Sequence, residues 1–378
     1  MRWVEATSDD LMEATVAELQ RRKGSSLLAE RRAHRLAELL ASQKSLLWIV
    51  AACQSISLMI SWPLWQIHTS PPMLPAAPLP NVNFGMPLQA SLVAAVVRPS
   101  VGVPLHTLLL AYAMLVDQTR LQPEFISLAL LLWGCLPSHR AMMLARAHLI
   151  SLWIFSGLNK LLSPWFMNGT AQWMLSAYVT GAPFWLRDNF GFVVVVAEAS
   201  LGILSLFPQT RRFVGILALV VHFNILLVLS PFGKNWNHVV WPWNVALAIS
   251  GFVLISSWRK GIVESLQQCG HVVFIGLVFL MLMPMGFYLL VVDAYVAHNL
   301  YTSNTAHEIV CNAQNRCNAG GLTQTSWRAF NVPLPPEHRL FESYFAQTCQ
   351  PGDHLTVLDS RMLARWLGRD RLTTACPL

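Results

Sequence analysis

The sequence predicts an all-α polytopic membrane protein, a bundle of about eight to nine transmembrane helices with a small α+β extramembrane C-terminal domain. Hydrophobic residues make up 54% of the 378 residues and charged residues only 12%, whereas a soluble domain has about 25% charged residues. Apolar runs of nearly membrane-spanning length recur between residues 46 and 293. After residue 293 these runs stop, and four of the seven cysteines follow.

The N-terminal segment, residues 1–45, is polar, and residues 8–44 have helical periodicity. We interpret it as a basic cytoplasmic helical segment, because Lys and Arg favour the cytoplasmic side of a membrane. It does not resemble a cleavable signal peptide, so the first transmembrane helix is expected to direct the chain to the cell inner membrane. The net charge of +7 then reflects orientation in the lipid bilayer. No basic patch is interleaved with aromatic residues, so no nucleic-acid partner is predicted.

Nine apolar segments in residues 46–293 are predicted to cross the membrane. The second is expected to be kinked or broken, because Arg98-Pro99 and Pro104 interrupt it. The proline-rich stretch 68–87 reads as an external loop, and residues 117–124 form either a capped helix–helix connection or a polar lid over the bundle. The predicted spans are Leu46–Gln66, Leu88–Val116, Phe125–Leu136, Ala141–Leu162, Phe166–Trp185, Phe190–Phe207, Phe213–Ser230, Val239–Trp258 and His271–Asp293.

The number of crossings decides where the C-terminus lies. Counting Phe166–Trp185 as a crossing gives nine spans and places the basic pairs Arg211-Arg212 and Arg259-Lys260 inside. Leaving it out would put both pairs outside, against the usual distribution of Lys and Arg. We therefore predict a cytoplasmic N-terminus and an extracytoplasmic C-terminal domain.

The C-terminal domain, residues 294–378, mixes strand-like and helical patterns. Ile309-Val310 and 355–358 are predicted strands, and 337–348 is a predicted amphipathic helix. Four cysteines in so short a segment favour two disulfides in an oxidising compartment, with the connectivity open. A zinc site is less favoured, because no C-x-x-C spacing is present. The candidates are Cys311, Cys317, Cys349 and Cys376, whereas Cys53, Cys135 and Cys269 read as small buried hydrophobes.

One apolar helix, residues 146–169, carries cations that are costly in hydrocarbon. Lys160 lies near its C-terminal end, and Arg146 and His148 lie near its start. A lysine near a helix end can reach the lipid headgroups. Alternatively, an apolar pocket would disfavour its charged form and make it a usable base. At about 100° per residue, one stripe contains Arg146, Ile150, Trp153, Gly157 and Lys160.

Two later spans carry polar residues that we expect to face the bundle interior. Glu198 lies in one of them, and His222 and Asn224 lie in the next. A Glu198–His222 pair would serve either as a buried polar lock or as a proton relay or ligand contact. Farther along, Trp241 and Asn244 belong to a tryptophan-rich stretch that reads as an interfacial aromatic belt or as the polar mouth of a cavity.

The stretch Gly157-Leu-Asn-Lys-Leu-Leu-Ser-Pro-Trp-Phe-Met-Asn-Gly169 resembles a motif of vitamin K-dependent γ-glutamyl carboxylase and its bacterial relatives, the horizontally transferred transmembrane (HTTM) domain proteins. The basic turn 207–215 and the following His222-Phe-Asn224 are similar to the next motif of that family. The likeness extends over residues 46–258 in architecture. A weaker likeness links the chain to DoxX-type quinone-linked membrane proteins.

The resemblance implies that Lys160 is the base that deprotonates a reduced quinone of the vitamin K type. In that family, oxygen addition then yields a strong base, which removes a proton from a glutamate of a peptide or protein substrate, and CO2 traps the carbanion. Two departures bear on the reaction. Asn159 stands where the family has a first motif lysine, and the tail is far smaller than the lumenal part of the animal enzyme.

Two hypotheses follow from the sequence. The first is an HTTM-type enzyme with Lys160, Glu198 and His222 as catalytic residues, no metal, and an enclosed cavity that touches all three side chains. The second is a non-catalytic membrane scaffold or a transport or assembly partner whose external tail binds another molecule. Under the first hypothesis the residues around the cofactor are Arg146, His148, Trp165, Asn224, Trp241 and Asn244.

Overall fold

A computed structural model describes residues 43–377, so the predicted N-terminal segment lies almost entirely outside the described residues. The described part is mostly helical, and five helices are long and apolar enough to cross a membrane. These are α1 (Gln43–Ile60), α3 (Pro99–Val116), α5 (His139–Leu161), α7 (Phe184–Ser205) and α8 (Arg211–Leu229). Four shorter apolar helices accompany them, namely α2 (Gly85–Val97), α4 (Pro123–Gly134), α9 (Val240–Ser250, extended to Ile255 by a π-helical turn) and α11 (His271–Leu282, extended to Phe287 by a 3-10 turn).

The predicted second span is two helices, α2 and α3, which pack against each other. The chain turns at Arg98-Pro99, where proline starts the second helix. Gly102 makes the close packing possible, because a Cβ there would overlap the backbone of Ala95. The pair is joined to α1 through His106, whose Nδ1 bonds Ser91 Oγ at 2.8 Å and whose Nε2 bonds Gln54 Nε2 at 3.1 Å.

The prediction that Phe166–Trp185 is a separate span is wrong. This stretch contains a π-helical turn, Phe166–Thr170, followed by the short helix α6, Ala171–Leu175, and a turn that leads into α7. Ten helical residues extend about 15 Å, half of the roughly 30 Å hydrocarbon core. The polar residues in this stretch fit a helix that lies at the bundle's end.

The polar connection between α3 and α4 is a capped turn. Asp117 Oδ1 accepts a bond from the backbone N–H of Thr119 at 3.1 Å, and Asp117 Oδ2 contacts His68 Nε2 at 2.9 Å. The Arg120 guanidinium donates to the carbonyls of Leu64 and Gln66 at 2.9 and 3.0 Å. Asp117 and Arg120 are thereby held by the segment before α2, so a capped connection fits better than a polar lid.

Helices α5 and α7 lie antiparallel and in close contact. A Cβ at Gly157 would lie 3.0 Å from the backbone N of Ala199, and a Cβ at Gly202 would lie 2.5 Å from Ile154 Cγ1. Glycine is therefore required at both crossing points, one on each helix. This close approach lets short side chains on one helix reach the other.

The C-terminal domain contains a four-stranded antiparallel sheet in the order β2-β1-β3-β4. In the central pair, Ile309 of β1 lies opposite Thr356 of β3. The two predicted strands and the predicted helix at 337–348 are confirmed. The elements are β1 (Ala306–Cys311), β2 (Cys317–Ala319), α12 (Gly321–Phe330), α13 (His338–Thr348), β3 (His354–Asp359), α14 (Met362–Trp366) and β4 (Arg371–Ala375).

The prediction of two disulfides is confirmed. Cys311 pairs with Cys317, and Cys349 pairs with Cys376. The first disulfide closes the β1–β2 hairpin. The second links the residue after α13 to the residue after β4. The three remaining cysteines are free and buried, in agreement with their expected role as small hydrophobes.

Residues 288–305, which we name the capping segment, connect α11 to β1 and are largely buried. Asn159 at the end of α5 donates from Nδ2 to the carbonyl of Ala297 at 3.0 Å, and it accepts a 2.5 Å bond from the hydroxyl of Tyr288. Ser163 Oγ donates to the carbonyl of Thr302. The capping segment therefore fixes the C-terminal end of α5, the end that carries Lys160.

Candidate functional site

Lys160 and Glu198 form a buried ion pair between α5 and α7. Lys160 Nζ lies 2.6 Å from Glu198 Oε2 and 2.6 Å from Ser156 Oγ. Ser156 Oγ in turn donates to the same carboxylate oxygen at 2.9 Å. Both charged side chains are less than a tenth exposed. The three groups thus form a closed ring of hydrogen bonds inside an apolar helix pair.

The local sequence explains why the ring forms. Ser156 precedes Lys160 by one helical turn, so both side chains lie on the same face of α5. Gly157, between them in the chain, allows α7 to approach closely enough for Glu198 to reach the ammonium. The Phe166 ring covers the ammonium from the other side, with its centroid 5.7 Å from Lys160 Nζ. Lys160 therefore faces a carboxylate and an aromatic ring and does not extend to the lipid headgroups.

His222 lies next to this ring in a separate hydrogen-bond chain. The indole N–H of Trp153 donates to His222 Nε2 at 3.0 Å, and His222 Nδ1 bonds Asn244 Oδ1 at 3.0 Å. An indole N–H can only donate, so Nε2 is unprotonated and the proton lies on Nδ1. Asn244 keeps its oxygen towards the imidazole because its Nδ2 donates to the carbonyl of Val240 at 3.0 Å.

The predicted direct pair between Glu198 and His222 is wrong. Glu198 takes its hydrogen bonds from Lys160 and Ser156, while both nitrogens of His222 are bound to Trp153 and Asn244. The charges of Lys160 and Glu198 nevertheless act on the imidazole, which lies within electrostatic range of both. Three predicted site residues, Lys160, Glu198 and His222, are thus brought into one neighbourhood.

Asn224 does not face the bundle interior, contrary to the prediction. Its side chain is exposed on α8, and its Nδ2 donates to the carbonyl of Val220 on the same helix at 2.7 Å. Residues two apart in a helix point about 200° away from each other. With His222 directed inward, Asn224 has to point outward.

Arg146 and His148 also lie apart from Lys160, at the opposite end of α5. Arg146 Nε donates to the carbonyl of Leu254 at 3.0 Å, and its guanidinium stacks over Trp258. His148 Nε2 bonds Ser127 Oγ at 2.7 Å. Fourteen helical residues between Arg146 and Lys160 correspond to about 21 Å. The structure therefore does not bring these two residues to the Lys160–Glu198 pair.

Trp165 and Trp241 lie on either side of the site without contacting the ion pair. Trp165 is exposed and lines a cleft of about 810 Å³ between the end of α5 and α14. Trp241 is half-buried, and its indole donates to the carbonyl of Trp236 at 3.0 Å. These positions fit an interfacial belt for Trp241 and a cleft wall for Trp165.

A second cleft near Lys160 was not predicted. Its volume is about 630 Å³, and we name it the aromatic cleft because three aromatic rings form its walls. Trp236 is the central ring, with centroids 5.4 Å from Trp173 and 5.3 Å from Tyr301. Lys234 Nζ lies over Trp173 and donates to Ser176 Oγ at 2.6 Å. The lining residues are Gly169, Thr170, Trp173, Lys234, Trp236, Tyr301 and Ser303.

The aromatic cleft and the ion pair are both contacted by the helical stretch 166–175. Phe166, Thr170 and Trp173 recur at helical spacing, so the stripe that starts under Lys160 ends in the cleft wall. Phe166 is fully buried beside the Lys160 ammonium and precedes Thr170 of the cleft wall by four residues. The clefts of 630 and 810 Å³ are lined by residues that follow Lys160, and the side chains of Lys160, Glu198 and His222 are not among the lining residues.

The loops around the aromatic cleft hold unusual backbone conformations. Asn235, Asn237, Tyr301 and Ser303 all have φ between 47° and 61°, a region that non-glycine residues seldom occupy. The Asn237 side-chain amide donates to the Tyr301 hydroxyl and links the two loops. Burial raises the pKa of Tyr301 well above its ordinary value, so the phenol stays un-ionised. Strained residues of this kind cluster at ligand sites more often than elsewhere.

Within residues 43–377, no group of three or more His, Cys, Asp or Glu side chains is placed to bind a metal ion. A side chain near the site that could bind a metal ion, His222, is hydrogen-bonded through both ring nitrogens to Trp153 and Asn244. The hydrogen bonds among Lys160, Ser156 and Glu198 allow proton transfer between the amine, the hydroxyl and the carboxylate.

Comparison with known proteins gave no matching family model, no matching curated protein and no matching solved structure. The likeness to the carboxylase and HTTM proteins accordingly rests on the residues of the motif alone.

Proposed function

We propose that this chain is an integral membrane protein in which the Lys160–Glu198 pair accepts a proton from a lipid-soluble quinol-type ligand. The observation that carries the proposal is the buried ring of Lys160, Ser156 and Glu198. Burying a cation and a carboxylate among apolar residues costs desolvation free energy. Such a pair is therefore expected to contribute either to specific packing or to chemistry.

The chain's residues would move the proton as follows. In the charged pair, the carboxylate of Glu198 is the free base and Lys160 Nζ carries a proton. Transfer from Nζ to Glu198 Oε2 over 2.6 Å leaves a neutral amine, which then accepts a proton from the ligand. The pair ends as an ammonium beside a carboxylic acid, one proton richer than before. Ser156 holds both groups in register through the transfer.

The aromatic cleft fits the ligand that the motif implies. A reduced quinone supplies the acidic hydroxyl and, with oxygen, the redox chemistry of that family. Here the Trp173 and Trp236 rings give the cleft an apolar aromatic wall that suits a ring-shaped ligand, and Lys234 is one of the lining residues. Phe166 covers the Lys160 ammonium, so it has to turn aside for a ligand to reach the amine. A peptide substrate would approach from the side of the C-terminal domain.

The orientation belongs to the same proposal. We propose nine crossings, α1 to α5, α7 to α9 and α11, with a cytoplasmic N-terminus and an extracytoplasmic C-terminal domain. The extra helix between residues 85 and 116 replaces the lost crossing at 166–185. Contacts support this arrangement, because the end of α1 and the start of α4 both meet the C-terminal domain, through Asn331 to Ile60 and Gln122 to Pro333.

A membrane-impermeant maleimide tests the orientation in intact cells. Cysteine introduced at Gly320 should be labelled, and cysteine introduced at Gly261 should be labelled only after the membrane is opened. Labelling of Gly261→Cys in intact cells would contradict nine crossings.

Oxygen uptake with a reduced naphthoquinone tests the chemistry on the full chain in lipid nanodiscs. Loss of a general base costs about 10²-fold or more, so Lys160→Met should lose the quinol-dependent rate while Asn224→Leu, outside the site, keeps it. Because Lys160→Met leaves a buried charge unpaired, the double variant Lys160→Met/Glu198→Leu serves as a folded but inactive reference. Wild-type protein with no quinol-dependent rate, or an active double variant, would rule out the proposed role.

The alternative function is a non-catalytic scaffold, in which the ion pair only locks α5 to α7. It is favoured by the complete hydrogen bonding of the pair and by Phe166, which covers the ammonium. The same measurement separates the two functions, because a lock predicts no quinol-dependent rate for any variant.

A further inference from the structure

A third cavity lies at the other end of α5, about 20 Å from Lys160 at 1.5 Å of rise per residue. It is a slot of about 320 Å³ between α5, α11, the end of α9 and the short helix α10 (Ile262–Gln267). Its walls are almost entirely hydrocarbon, with Ala147 and Ile150 on one side and Phe274 and Met281 on the other. The indole N–H of Trp258, its one polar wall group, is already bound to Ser265 Oγ at 2.8 Å.

The slot lies beside the line along which Leu277 of α11 packs with Met143, Ala147 and Ile150 of α5. Leu277 is the buried residue of α11, whereas Val272 and Ile275 are strongly exposed. One hydrogen bond, from Ser151 Oγ to the carbonyl of Leu280 at 2.8 Å, holds the two helices together farther along. The lining residues run lengthwise along both helices, and Phe274, Val278 and Leu282 among them are exposed, so the slot opens at the surface of the molecule. An apolar cavity of this kind stays dry and is filled by hydrocarbon.

The mouth of the slot is basic. Arg140 lies one turn before Met143 of the slot wall, and its guanidinium reaches the start of α11, 3.6 Å from where a Cβ of Gly270 would be. Arg259 follows Trp258 directly. Both arginines are exposed, and neither has a carboxylate partner among residues 43–377. The neighbouring Lys260 is partly neutralised by Glu264 at 3.5 Å and donates to Gln268.

We propose that this slot binds one acyl chain of an anionic phospholipid, whose phosphate is held by Arg140 and Arg259. The slot runs about 10 Å along the helices, from Met143 to Ile150. The two exposed arginines lie beside the end at Met143. If a second copy of the chain or an apolar peptide filled the slot, that occupant would not explain why cations lie at one end of it. An anionic lipid matches both features, because its charge and its hydrocarbon are joined at the membrane surface where the slot begins.

Native mass spectrometry of the full chain, released from nanodiscs that contain equal amounts of phosphatidylglycerol and phosphatidylcholine with identical acyl chains, tests the proposal. Two arginines near the phosphate favour the anionic lipid by about 30-fold. Wild-type protein should retain phosphatidylglycerol with roughly that preference. Arg140→Gln/Arg259→Gln should lose the preference but still retain lipid.

Filling the slot with Ala147→Phe should remove bound lipid of both kinds, whereas Val272→Phe, which adds similar bulk to the exposed face of α11, should not. Where Ala147→Phe does not fold, a phosphatidylglycerol with a photoreactive acyl chain is crosslinked to wild-type protein instead. Its crosslinks should map to 143–150 and 274–282. Equal retention of the two lipids by wild-type protein, or crosslinks spread over all exposed helices, would overturn the proposal.

Discussion

Two clusters of charge differ in how many partners each carboxylate has. Between α5 and α7, Glu198 has one cation, Lys160, and one hydroxyl. In the C-terminal domain, Asp359 accepts bonds from both Arg361 at 2.7 Å and His338 at 3.0 Å, and Glu337 stands 3.9 Å from the same guanidinium. We therefore expect the first cluster to fail when one member is removed, and the second to redistribute its bonds.

The difference follows from the surroundings. Burial alone would raise the pKa of Asp359, but the bonds from His338 and Arg361 outweigh it and hold that pKa well below the ordinary value. Such a network is built where water can reach its edges. Among the apolar residues of α5 and α7 each added charge would cost several kcal/mol, so the pair there stays minimal. A pair with so few partners can also change its protonation state with little rearrangement of the neighbouring hydrogen bonds.

The largest expected effect comes from breaking the minimal pair. Lys160→Met should lower the free energy of unfolding by about 3–5 kcal/mol, because it leaves the carboxylate of Glu198 buried without a cation. Unfolding by sodium dodecyl sulfate in mixed micelles measures the loss. The double variant Lys160→Met/Glu198→Leu should recover most of it, and a double variant as unstable as the single one would show that the pair is not coupled.

The next largest effect is a pH dependence of stability that we expect from Glu337 in the cluster of the C-terminal domain. Burial raises the pKa of Glu337 to about 7, so the folded domain favours the protonated acid. This contribution is complete below pH 4.5 and is lost as pH rises to about 7, by up to about 3 kcal/mol. The protection factors of the β1 and β3 amides, corrected for the intrinsic rise of exchange with pH, should therefore fall across that window in the wild-type protein and stay level in Glu337→Gln. An unchanged pH dependence in the variant would contradict the role of Glu337.

A smaller effect is expected for Asp359→Asn in the network. Hydrogen bonds to charged groups contribute about 1.5–3 kcal/mol, and Glu337 can take over part of the contact with Arg361. Because the pKa of Asp359 is depressed, its contribution is present above about pH 4 and is lost in acid. The variant should be less stable than the wild type at pH 6, and the two should converge in acid. A gap that persists or widens in acid would contradict this sign.

The smallest effect is expected for Asn224→Leu, which replaces an outward-facing amide on α8. Its Nδ2 bonds only the carbonyl of Val220 on its own helix, so the change should alter the free energy of unfolding by less than about 0.5 kcal/mol. A large loss measured in mixed micelles would mean that Asn224 has an interior partner after all.

The sequence placed Lys160, Glu198 and His222 in one site, but it paired Glu198 with His222, whereas the structure pairs Glu198 with Lys160. Lys160 and Glu198 stood out because apolar helices rarely carry them, yet their pairing depends on the register set by Gly157 and Gly202, which no pattern in one helix reveals. Helical geometry alone should have placed Asn224 on the opposite face from His222. The strands and the disulfide-bonded cysteines were predicted well, because their signals are local.

The remaining errors concern features assembled from distant segments. The aromatic cleft draws Trp173, Trp236 and Tyr301 from three separate parts of the chain, and each reads alone as an interfacial aromatic residue. The break at Arg98-Pro99 was predicted from its proline, although the two helices on either side were counted as one span. At 166–185 hydropathy measured apolar content and did not register the early end of α6 at Leu175.

Infrared difference spectroscopy of the full chain, recorded with and without a reduced naphthoquinone, tests the proton-accepting role of the pair most directly. Acceptance of a proton converts Glu198 from carboxylate to carboxylic acid beside the Lys160 ammonium. We predict that a protonated-carboxyl band appears on ligand addition and is absent in Glu198→Gln. If no such band appears, or if it persists in Glu198→Gln, the pair does not accept the proton and serves only to hold α5 against α7.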